Sequence, residues 1–405
     1  MKKSVFTISS FVLIATIAVM PSCKRKGCTE STAINFDEEA KRDDGSCEFD
    51  NYYTVPATYS FADANGNNTV SFSGQQQRLD MLSEMVTYMK TANTAGVQIN
   101  AATLKSMYAN SGYTWTDANS LGMTGSSKQL KSKTAEADAG IQAQFEAYMD
   151  SIAALSATTT NGVENGSSTQ GGVWPNDGSK GPYLMTAQGI EYAQLIEKGL
   201  MAAVFMNQMT VNYLTDLDAD DNTSATDATA GKYYTTMEHH WDEAYGYFSY
   251  TTDFPTTGTD RFWGKYASSR EGVLGSATKI ATAFRTGRAA IANKDYTTRD
   301  AQVKIIRDEI EKVCAGTAIH YLNAAKANIG KSTTRNHSLS EAWAFIEGLK
   351  YGYNSINGVS ISTNQIETAL NYIGKDFNAV TITGLQNAID LIAANTGLEA
   401  VKSSL

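Results

Sequence analysis

Apolar side chains recur every three or four positions through most of the chain from Gln75 onward. In residues 76–93, for example, the apolar residues between Leu79 and Met89 fall on one face of a helix. No alternation of strands with helices is found, which excludes a parallel α/β fold. The pattern therefore predicts an all-α, multi-helix bundle. The predicted helices span residues 76–93, 134–155, 186–214, 236–250, 268–292, 298–329, 338–356, 363–375 and 384–394.

Three segments depart from this amphipathic pattern. Residues 52–74 alternate aromatic and β-branched side chains around an Asn-Gly turn, which predicts a short N-terminal β-hairpin or an extended arm. Residues 157–185 are rich in glycine, serine, threonine and asparagine, and they predict a long surface loop or the lip of a pocket. Residues 186–214 are apolar nearly all round, which predicts a helix buried at the centre of the bundle.

The first residues have the pattern of a secretory signal. A basic start, Met1-Lys2-Lys3, is followed by the apolar stretch Val5–Met20 and then by Pro21-Ser22-Cys23. An apolar stretch shorter than a membrane span, after a basic start, is typical of a signal peptide, which here would comprise residues 1–22. A cysteine at this place makes the segment resemble a bacterial lipoprotein signal, in which the cysteine is lipid-modified and becomes the first mature residue.

The lipoprotein resemblance implies a location. The protein would be anchored in the cell envelope through the lipid on Cys23, at the outer membrane, and would face the periplasm or the cell exterior. An ordinary signal peptide with an incidental cysteine is the alternative. We expect residues 23–51 to form the anchor and a spacer, and residues 52–405 to form the helical domain. In the spacer, Cys28 and Cys47 are expected to form a disulfide, which contributes about 3 kcal/mol in the chain-entropy model.

The charge balance and the absent motifs restrict the function. The formal net charge is -9, and removing residues 1–22 takes away Lys2 and Lys3 and no acid, which makes it -11. A nucleic-acid partner is excluded because phosphate binding needs a clustered basic face. The chain has no Gly-x-Ser-x-Gly, phosphate loop, Cys-x-x-Cys or His-Glu-x-x-His motif. Cys314 lies in an apolar helical pattern, which predicts a buried and inert thiol.

Candidate chemistry centres on a repeated pattern of histidine and glutamate. Residues 237–248 read MEHHWDEAYGYF, and a second stretch, which begins at His337, reads HSLSEAWAFIEGL. His239 and Glu243 in the first stretch have the same spacing as His337 and Glu341 in the second. A histidine and a glutamate four residues apart share one face of a helix. The repeat predicts two pseudo-repeated bundles that each contribute one polar helix to a shared interface.

The boundary between the two predicted bundles lies near residues 220–260. The repeated pattern of histidine and glutamate has two interpretations. In the first, imidazole and carboxylate groups on facing helices bind a metal, for which iron and zinc are suited. The alternative is structural, with the same side chains hydrogen-bonded across a helix interface, since adjacent histidines point about 100° apart. The predicted metal ligands are His239, His240, Glu243, His337 and Glu341, with His320 and Glu197 as further candidates. The predicted ligand-binding residues beside them are Glu191, Trp241 and Trp343.

An acidic segment follows the predicted central helix. Asp216, Asp218 and Asp220 alternate like the start of an EF-hand-type calcium loop. The sixth position of such a loop should be glycine and is Asp221, and the twelfth should be glutamate and is Asp227. The segment is therefore a candidate calcium site, with an acidic solvated loop as the alternative.

Several blocks resemble a known family. The blocks SFSGQQQRLDMLSEM, SSKQLKSKTAEA, GIEYAQLIEKGLM, HHWDEAYGYF and SEAWAFIEGLKYG are similar to an uncharacterised family of bacterial lipoproteins, over about residues 52–400. Members of that family are often encoded beside imelysin-like proteins and outer-membrane receptors for iron uptake. Imelysins have two helical bundles and a Gly-x-His-x-x-Glu motif at a cleft. The segment His240-Trp241-Asp242-Glu243 fits His-x-x-Glu, while Glu238 occupies the glycine position.

The resemblance implies a function. It favours an envelope-anchored, non-catalytic lipoprotein that binds a ligand or partner in the uptake of iron or another metal, with an imelysin-like fold. The expected partners are the membrane, through Cys23, and an outer-membrane receptor or an imelysin-like protein. One alternative is a metal-dependent hydrolase of the imelysin or peptidase type, in which His240 is a ligand and Glu243 the base. The other is a purely structural interaction protein.

Overall fold

The computed structural model describes residues 25–29, 33–44, 46–47, 53–256 and 260–405. Residues 1–50 and residues 51–405 form two units, which are described one at a time. The predicted signal peptide and Cys23 lie outside the described residues, so the lipid anchor stays a prediction.

The smaller unit is organised around a disulfide. Cys28 and Cys47 are bonded, with their Cα atoms 4.7 Å apart, which confirms the predicted pairing. Two short strands, β1 (Lys26–Gly27) and β2 (Arg42–Asp43), pair in parallel. Cys28 is almost fully buried. The disulfide thus supplies the stabilisation that a segment this short cannot obtain from an apolar core.

The larger unit is mostly helical, which confirms the predicted fold class. Its helices bury apolar faces against one another, and little regular structure other than helix is found in the described part of the unit. The helices are α1 (Ser73–Thr91), α2 (Ala101–Tyr108), α3 (Ala139–Ser156), α4 (Tyr192–Leu200), α5 (Thr236–Phe248), α6 (Phe262–Leu274), α7 (Ser276–Ala292), α8 (Tyr296–Ala327), α9 (Ser332–Gly348), α10 (Tyr353–Ile356), α11 (Thr363–Ile373) and α12 (Ile382–Thr396).

The predicted helix 338–356 begins earlier, at Ser332, and is interrupted after Gly348, and α2 was not predicted. Two further differences have local reasons. The predicted helix 268–292 is two helices, α6 and α7, because the chain turns at Gly275 with a φ of +66° that glycine adopts without strain. The predicted helix 134–155 begins only at α3. There the Asp138 side chain accepts a hydrogen bond from the Ile141 amide and caps the helix.

The central helix is confirmed and is wider than a regular α-helix. After α4 the chain continues through two π-helical segments, Met201–Met206 and Gln208–Tyr213, in which each turn holds an extra residue. Nearly every side chain in the first of these segments is buried, as the all-round apolar pattern predicts. This helix packs against α3 and α9, and its π-helical part contacts α5.

The N-terminal segment of the larger unit is an extended arm. Around the predicted Asn-Gly turn, one antiparallel bridge pairs Ala62 with Asn68 in a minimal hairpin, and the rest of residues 53–72 is extended. The arm packs along α5, with the Tyr59 ring stacked on that of Tyr245 at 3.7 Å. Its backbone thereby reaches polar groups of α5.

The glycine-rich segment 157–185 contains a β-hairpin that the pattern did not predict. Strands β3 (Gly172–Trp174) and β4 (Tyr183–Met185) pair antiparallel, with Trp174 opposite Tyr183. The strands are only three residues long and almost wholly buried, so they carry no alternation of polar and apolar positions. The expected surface loop is therefore partly a buried hairpin.

Helix α8 organises the packing of the larger unit, because it contacts α6, α7, α9 and α12. Helix α5 packs against α1 and α7, where the Trp241 ring lies on Gly287 so closely that a Cβ at that position would be 2.1 Å from it. Among the described helices, none is long and apolar enough to cross a membrane. Residues 51–405 group as one unit, and their division into two pseudo-repeated bundles stays a prediction.

Candidate functional site

The two His-x3-Glu faces lie on α5 and α9. Helix α5 begins with a capping box in which Thr235 and Glu238 exchange hydrogen bonds, which fixes the phase of the helix. In α5, His239 Nε2 lies 3.9 Å from a carboxylate oxygen of Glu243. In α9, His337 Nε2 lies 3.3 Å from a carboxylate oxygen of Glu341. Each pair therefore shares a helix face, as the spacing predicts.

His337 is part of a row of alternating charges that is buried except at its Lys90 end, and we call this row the His337 network. Its carboxylates and cations come from α1, α4, α9 and the residue before α4. Glu191 Oε2 lies 2.6 Å from His337 Nδ1, and Lys198 Nζ lies 3.7 Å from Glu341 and 2.5 Å from Glu197. Lys90 Nζ ends the row, 3.1 Å from Glu197. The members of the network are Lys90, Glu191, Glu197, Lys198, His337 and Glu341.

The network is balanced when His337 is protonated, because it then holds three positive and three negative groups. Burial by itself lowers the pKa of His337, but the adjacent Glu191 and Glu341 outweigh burial, and the pKa is raised. Likewise burial lowers the pKa of Lys198, and the carboxylates of Glu197 and Glu341 raise it by more. Opposite charges within hydrogen-bond distance favour the ionised forms, so the protonated forms of His337 and Lys198 are stabilised by the carboxylates beside them.

Tyr183 covers the network on one side. Its ring stacks on the His337 imidazole at 4.2 Å and an interplanar angle of 6°. Gln194 donates to the Glu191 carboxylate, and the Ser340 hydroxyl accepts from the Glu191 backbone amide. With these contacts Glu191, a predicted ligand-binding residue, is fully buried and engaged by protein groups.

The geometry around His337 bears on the metal prediction. Glu191 and Glu341 approach opposite ring nitrogens, so an ion bound to one nitrogen would be close to only one of the two carboxylates. In the described part of the chain, no group of three or more histidine, cysteine, aspartate or glutamate side chains has an arrangement that could hold a metal ion. Iron or zinc at these residues stays a prediction, and the contacts found favour the structural alternative.

The α5 face has a different set of partners. His239 Nδ1 lies 3.1 Å from the Ser71 carbonyl of the arm, and its ring stacks on Tyr234. Burial lowers the pKa of His239, and the neighbouring His240 lowers it further against the opposing effect of Glu243. The Glu243 carboxylate accepts a hydrogen bond of 2.9 Å from Gln75. No hydrogen bond or ion pair between described residues joins this face to the α9 face.

His240, the second histidine of the α5 stretch, contacts the acidic segment that was predicted to bind calcium. His240 Nδ1 lies 2.8 Å from the Asp220 carboxylate, away from the His239 side. Asp218 accepts a hydrogen bond of 2.6 Å from Arg299. Two of the three predicted calcium-binding carboxylates therefore face protein cations or imidazole, and the third, Asp216, has a left-handed backbone with a φ of 53°. This arrangement does not favour calcium, which stays a prediction.

A buried arginine on α7 forms a centre that the sequence analysis missed. Arg288 is fully buried and donates to Asp242 at 3.0 Å, to Glu238 at 2.7 Å and to Thr69 of the arm. The Asp242 carboxylate also accepts from the Tyr59 hydroxyl at 2.8 Å. Burial raises the pKa of Asp242 to about 6 despite these donors. Glu238 and Asp242, two of the three acids within the MEHHWDEAYGYF stretch, were a signal for such a partner.

The two tryptophans predicted to bind a ligand have packing roles here. Trp241 is fully buried, and its indole donates to the Phe284 carbonyl at 2.9 Å. Trp343 is half-buried and packs against Phe377 with ring centroids 6.0 Å apart. Their role in binding stays a prediction that these contacts do not support.

A cavity lies one helical turn from His337. It has a volume of about 410 Å³ and is lined by the turn before and after β3 and by the start of α9. Thr333 in its wall is four residues before His337, and Trp174 supplies its aromatic surface. The Trp174 indole nitrogen is buried without a hydrogen-bond partner among the described residues. The glycine-rich segment thus forms the lip of a pocket, as the composition predicts.

The contrasting titration of the histidines is the first testable consequence. We expect the imidazole of His337 to titrate above 6.5 and that of His320 near 4, where burial and the charges of Arg270 and Lys180 place it. NMR titration of the ring resonances, assigned with single histidine-to-glutamine variants, measures both. A pKa of His337 at or below 6.5 would contradict the ion-pair assignment.

The raised pKa of His337 also predicts how the stability of the protein depends on pH. Because the folded-state pKa of His337 lies above its unfolded value, its contribution is complete below pH 6.5 and is lost as the pH rises through the folded-state pKa. His337→Gln should therefore cost more stability at pH 6 than at pH 9.

The fold and the site define a class: an all-helical protein in which two polar helices, α5 and α9, are each held by a separate buried ion-pair network. The chain belongs to a family described as a domain of unknown function, DUF4856, whose model matches residues 56–398. This confirms the expected membership of an uncharacterised domain family, while the link to imelysins stays a prediction. No match is found among curated proteins or among solved structures.

Proposed function

We propose that this protein is a lipid-anchored, non-catalytic lipoprotein of the bacterial cell envelope that binds a ligand or partner in the uptake of iron or another metal. The signal-like N-terminus and Cys23 support the anchor, and the disulfide between Cys28 and Cys47 suits an exported chain. The resemblance to lipoproteins encoded beside iron-uptake receptors supports the role in uptake.

The observation that carries the proposal is the cavity beside the start of α9. It is open, has about 410 Å³ and is walled by the glycine-rich segment, with serine, asparagine and threonine side chains around Trp174. The cavity has the volume of a small-molecule site, and the Trp174 ring supplies apolar surface beside its polar lining. The His337 network lies one helical turn further along α9 and joins this helix to the start of α4.

Binding is favoured over catalysis by the state of the polar groups. For the hydrolase alternative, His240 would be a metal ligand and Glu243 a base, but among the described residues no group of three or more histidine, cysteine, aspartate or glutamate side chains could hold the metal. The Cys314 thiol is buried, donates to the Phe345 carbonyl, and has a pKa that burial raises. A fully buried thiol with a raised pKa is a poor nucleophile, because the thiolate is the reactive form.

Metal uptake in the bacterium that makes the protein tests the proposal. Cells that lack the gene should take up labelled iron or zinc more slowly than the parent, and the wild-type gene should restore uptake. Cys23→Ala should fail to restore it, because the unanchored protein is lost from the membrane. Equal uptake with and without the gene would overturn the proposed function.

The cavity is tested in the same assay with a pair of matched variants. Ser332→Trp places an indole in the cavity from an exposed position in the first turn of α9 and should reduce uptake. Asn364→Trp, an equally exposed position in the first turn of α11, should leave uptake unchanged. Full uptake with Ser332→Trp would show that the cavity is not needed for metal uptake.

A further inference from the structure

Direct hydrogen bonds join the two walls of the cavity at the start of α9. The Thr333 hydroxyl donates to the Pro175 carbonyl at 2.8 Å. The Asp177 carboxylate accepts from the Thr334 backbone amide at 2.8 Å and from the Thr334 hydroxyl at 2.7 Å. Pro175, Asp177 and Thr333 all line the cavity, so these contacts hold the loop after β3 against the first turn of the helix.

The first turn of α9 has backbone donors that are free to bind a ligand. The helix has 17 residues, and the amides of Ser332 and Thr333 come too early in it to have acceptors within the helix. Both residues line the cavity, and neither amide donates to another described residue. Asp177 is bonded to the next amide, that of Thr334, and leaves these two open. Such a helix N-terminus attracts an anionic group, because its amide dipoles are aligned.

Trp174 supplies a second and independent donor at the same cavity. Its side chain is only 3% exposed, and its Nε1 has no hydrogen-bond partner among the described residues. Cδ1, the ring atom bonded to Nε1, lies so close to Gly166 that a Cβ there would be 2.3 Å from it. Gly166 and Trp174 both line the cavity, so this edge of the indole is at its wall. A buried donor without an acceptor is costly, and an acceptor atom of a bound molecule would satisfy it.

The cavity has one side chain of each charge, Lys331 and Asp177. Neither forms an ion pair with a described residue. Burial raises the pKa of Asp177, but hydrogen bonds from Thr334 outweigh burial, and the pKa is lowered. The ionised Asp177 therefore repels a multiply charged anion such as phosphate from the neighbouring amides. A carboxylate that is accompanied by a cationic group on the same molecule avoids this repulsion.

We propose that the cavity binds a small zwitterion of the α-amino-acid type. The carboxylate accepts hydrogen bonds from the free amides of Ser332 and Thr333 and is attracted by Lys331, while the ammonium pairs with Asp177. The Trp174 indole donates to a further acceptor of the ligand, and a volume of about 410 Å³ leaves room for its side chain. This inference rests on the proposed function, because it names the class of ligand for the same cavity.

The indole resonance of Trp174 reports binding at the site. The chain has five tryptophans, so an NMR spectrum of the isotope-labelled protein shows five indole N–H signals, and Trp174→Phe identifies that of Trp174. We expect leucine to shift this signal until the site is saturated. The Trp115 indole is the internal control, because it is similarly buried but already donates to Asn110 at 2.7 Å, and its signal should not move.

Probes that lack one of the two charges test the zwitterion. Propionate is alanine without its ammonium, and ethylamine is alanine without its carboxylate. We expect alanine and leucine to bind at least about tenfold more tightly than propionate or ethylamine, as expected for the loss of a hydrogen bond to a charged group. Tighter binding of inorganic phosphate than of either amino acid would overturn the zwitterion. A Trp174 signal that none of the probes shifts would overturn the site.

Asp177→Asn tests the partner of the ammonium. Asparagine keeps the shape and can still accept a hydrogen bond from Thr334, but it removes the charge. Leucine binding should therefore weaken at least about tenfold, while propionate binding should not weaken. Asp138→Asn is the matched control, because Asp138 likewise caps a helix, α3, but does not line the cavity. Equal weakening of leucine and propionate in Asp177→Asn, or the wild-type affinity for leucine, would contradict the proposal.

Lys331→Gln keeps the test decisive if Asp177→Asn fails to fold. Lys331 is exposed, and its loss should weaken leucine binding about threefold at low salt and less at high salt, since exposed charges are screened. An affinity for leucine that does not change in Lys331→Gln at low salt would also contradict the proposal.

The outcome is separable from that of the proposed function. Leucine binding that depends on Asp177, in a protein whose deletion leaves metal uptake unchanged, would keep the zwitterion site and reject the uptake role. Reduced uptake on deletion, in a protein that binds neither alanine nor leucine, would do the reverse.

Discussion

Arg288→Met is expected to lower the free energy of unfolding by about 3–5 kcal/mol at pH 7.5, because removing one partner from a buried ion pair leaves the other charges uncompensated. Arg288 is fully buried and is the only described cation that contacts Asp242 or Glu238. Its loss also leaves the Thr69 carbonyl of the arm without a donor. Methionine keeps much of the side-chain volume, so the effect reports charge and hydrogen bonding more than packing. Denaturant unfolding followed by circular dichroism measures it.

Arg285→Met on the same helix is the matched control for Arg288→Met. Arg285 is half-buried, and its two acceptors, the Thr282 hydroxyl and the Phe254 carbonyl, are 3.4 and 3.5 Å away. We expect a loss of less than about 1 kcal/mol, as for most partly exposed charged residues. Similar losses for both variants would contradict the view that Arg288 neutralises buried acids and fixes the arm to α5.

Glu311→Gln is expected to stabilise the protein above pH 7. Burial, the largest influence, raises the pKa of Glu311 to about 7, and nearby Asp308 adds to it. The folded state then binds a proton that the unfolded state releases between pH 4.5 and pH 7, so the contribution of Glu311 is complete below that window and is lost as the pH rises through it. Glutamine stays neutral and can still accept the Ser360 hydrogen bond. At pH 8 we expect a gain of about 2–3 kcal/mol, and at pH 4 almost none.

Glu309→Gln provides the opposite case on the same helix. Glu309 is equally buried but accepts hydrogen bonds of 2.6 Å from Lys312 and from Ser276. Its neutralisation should cost about 1–3 kcal/mol at pH 8, since hydrogen bonds to charged groups are among the strong ones. Unfolding curves of both variants between pH 4 and pH 9 test the pair. A Glu311→Gln variant whose stability follows the wild type at all pH values would show that Glu311 is ionised in the folded protein.

The candidate site could be predicted only in part. The spacing of His239 to Glu243 and of His337 to Glu341 correctly placed each pair on one helix face. It could not show that the two faces have different surroundings. Glu191 comes to one of them from a residue 146 positions earlier, and the Ser71 carbonyl comes to the other from the arm. Similar local patterns thus acquire different pKa values, because a pKa depends on burial and on charges contributed by other elements.

The sequence by itself determined the features that depend on neighbours along the chain. These are the helical fold, the all-round burial of the central helix and the disulfide, since periodicity and composition are local properties. Only the tertiary structure decided which charges meet. Arg288 is paired because α5 brings the carboxylates of Glu238 and Asp242 to it from positions 50 and 46 residues earlier. A buried charge is stabilised by hydrogen-bonding or oppositely charged groups from other elements, and the fold decides which groups come close to it.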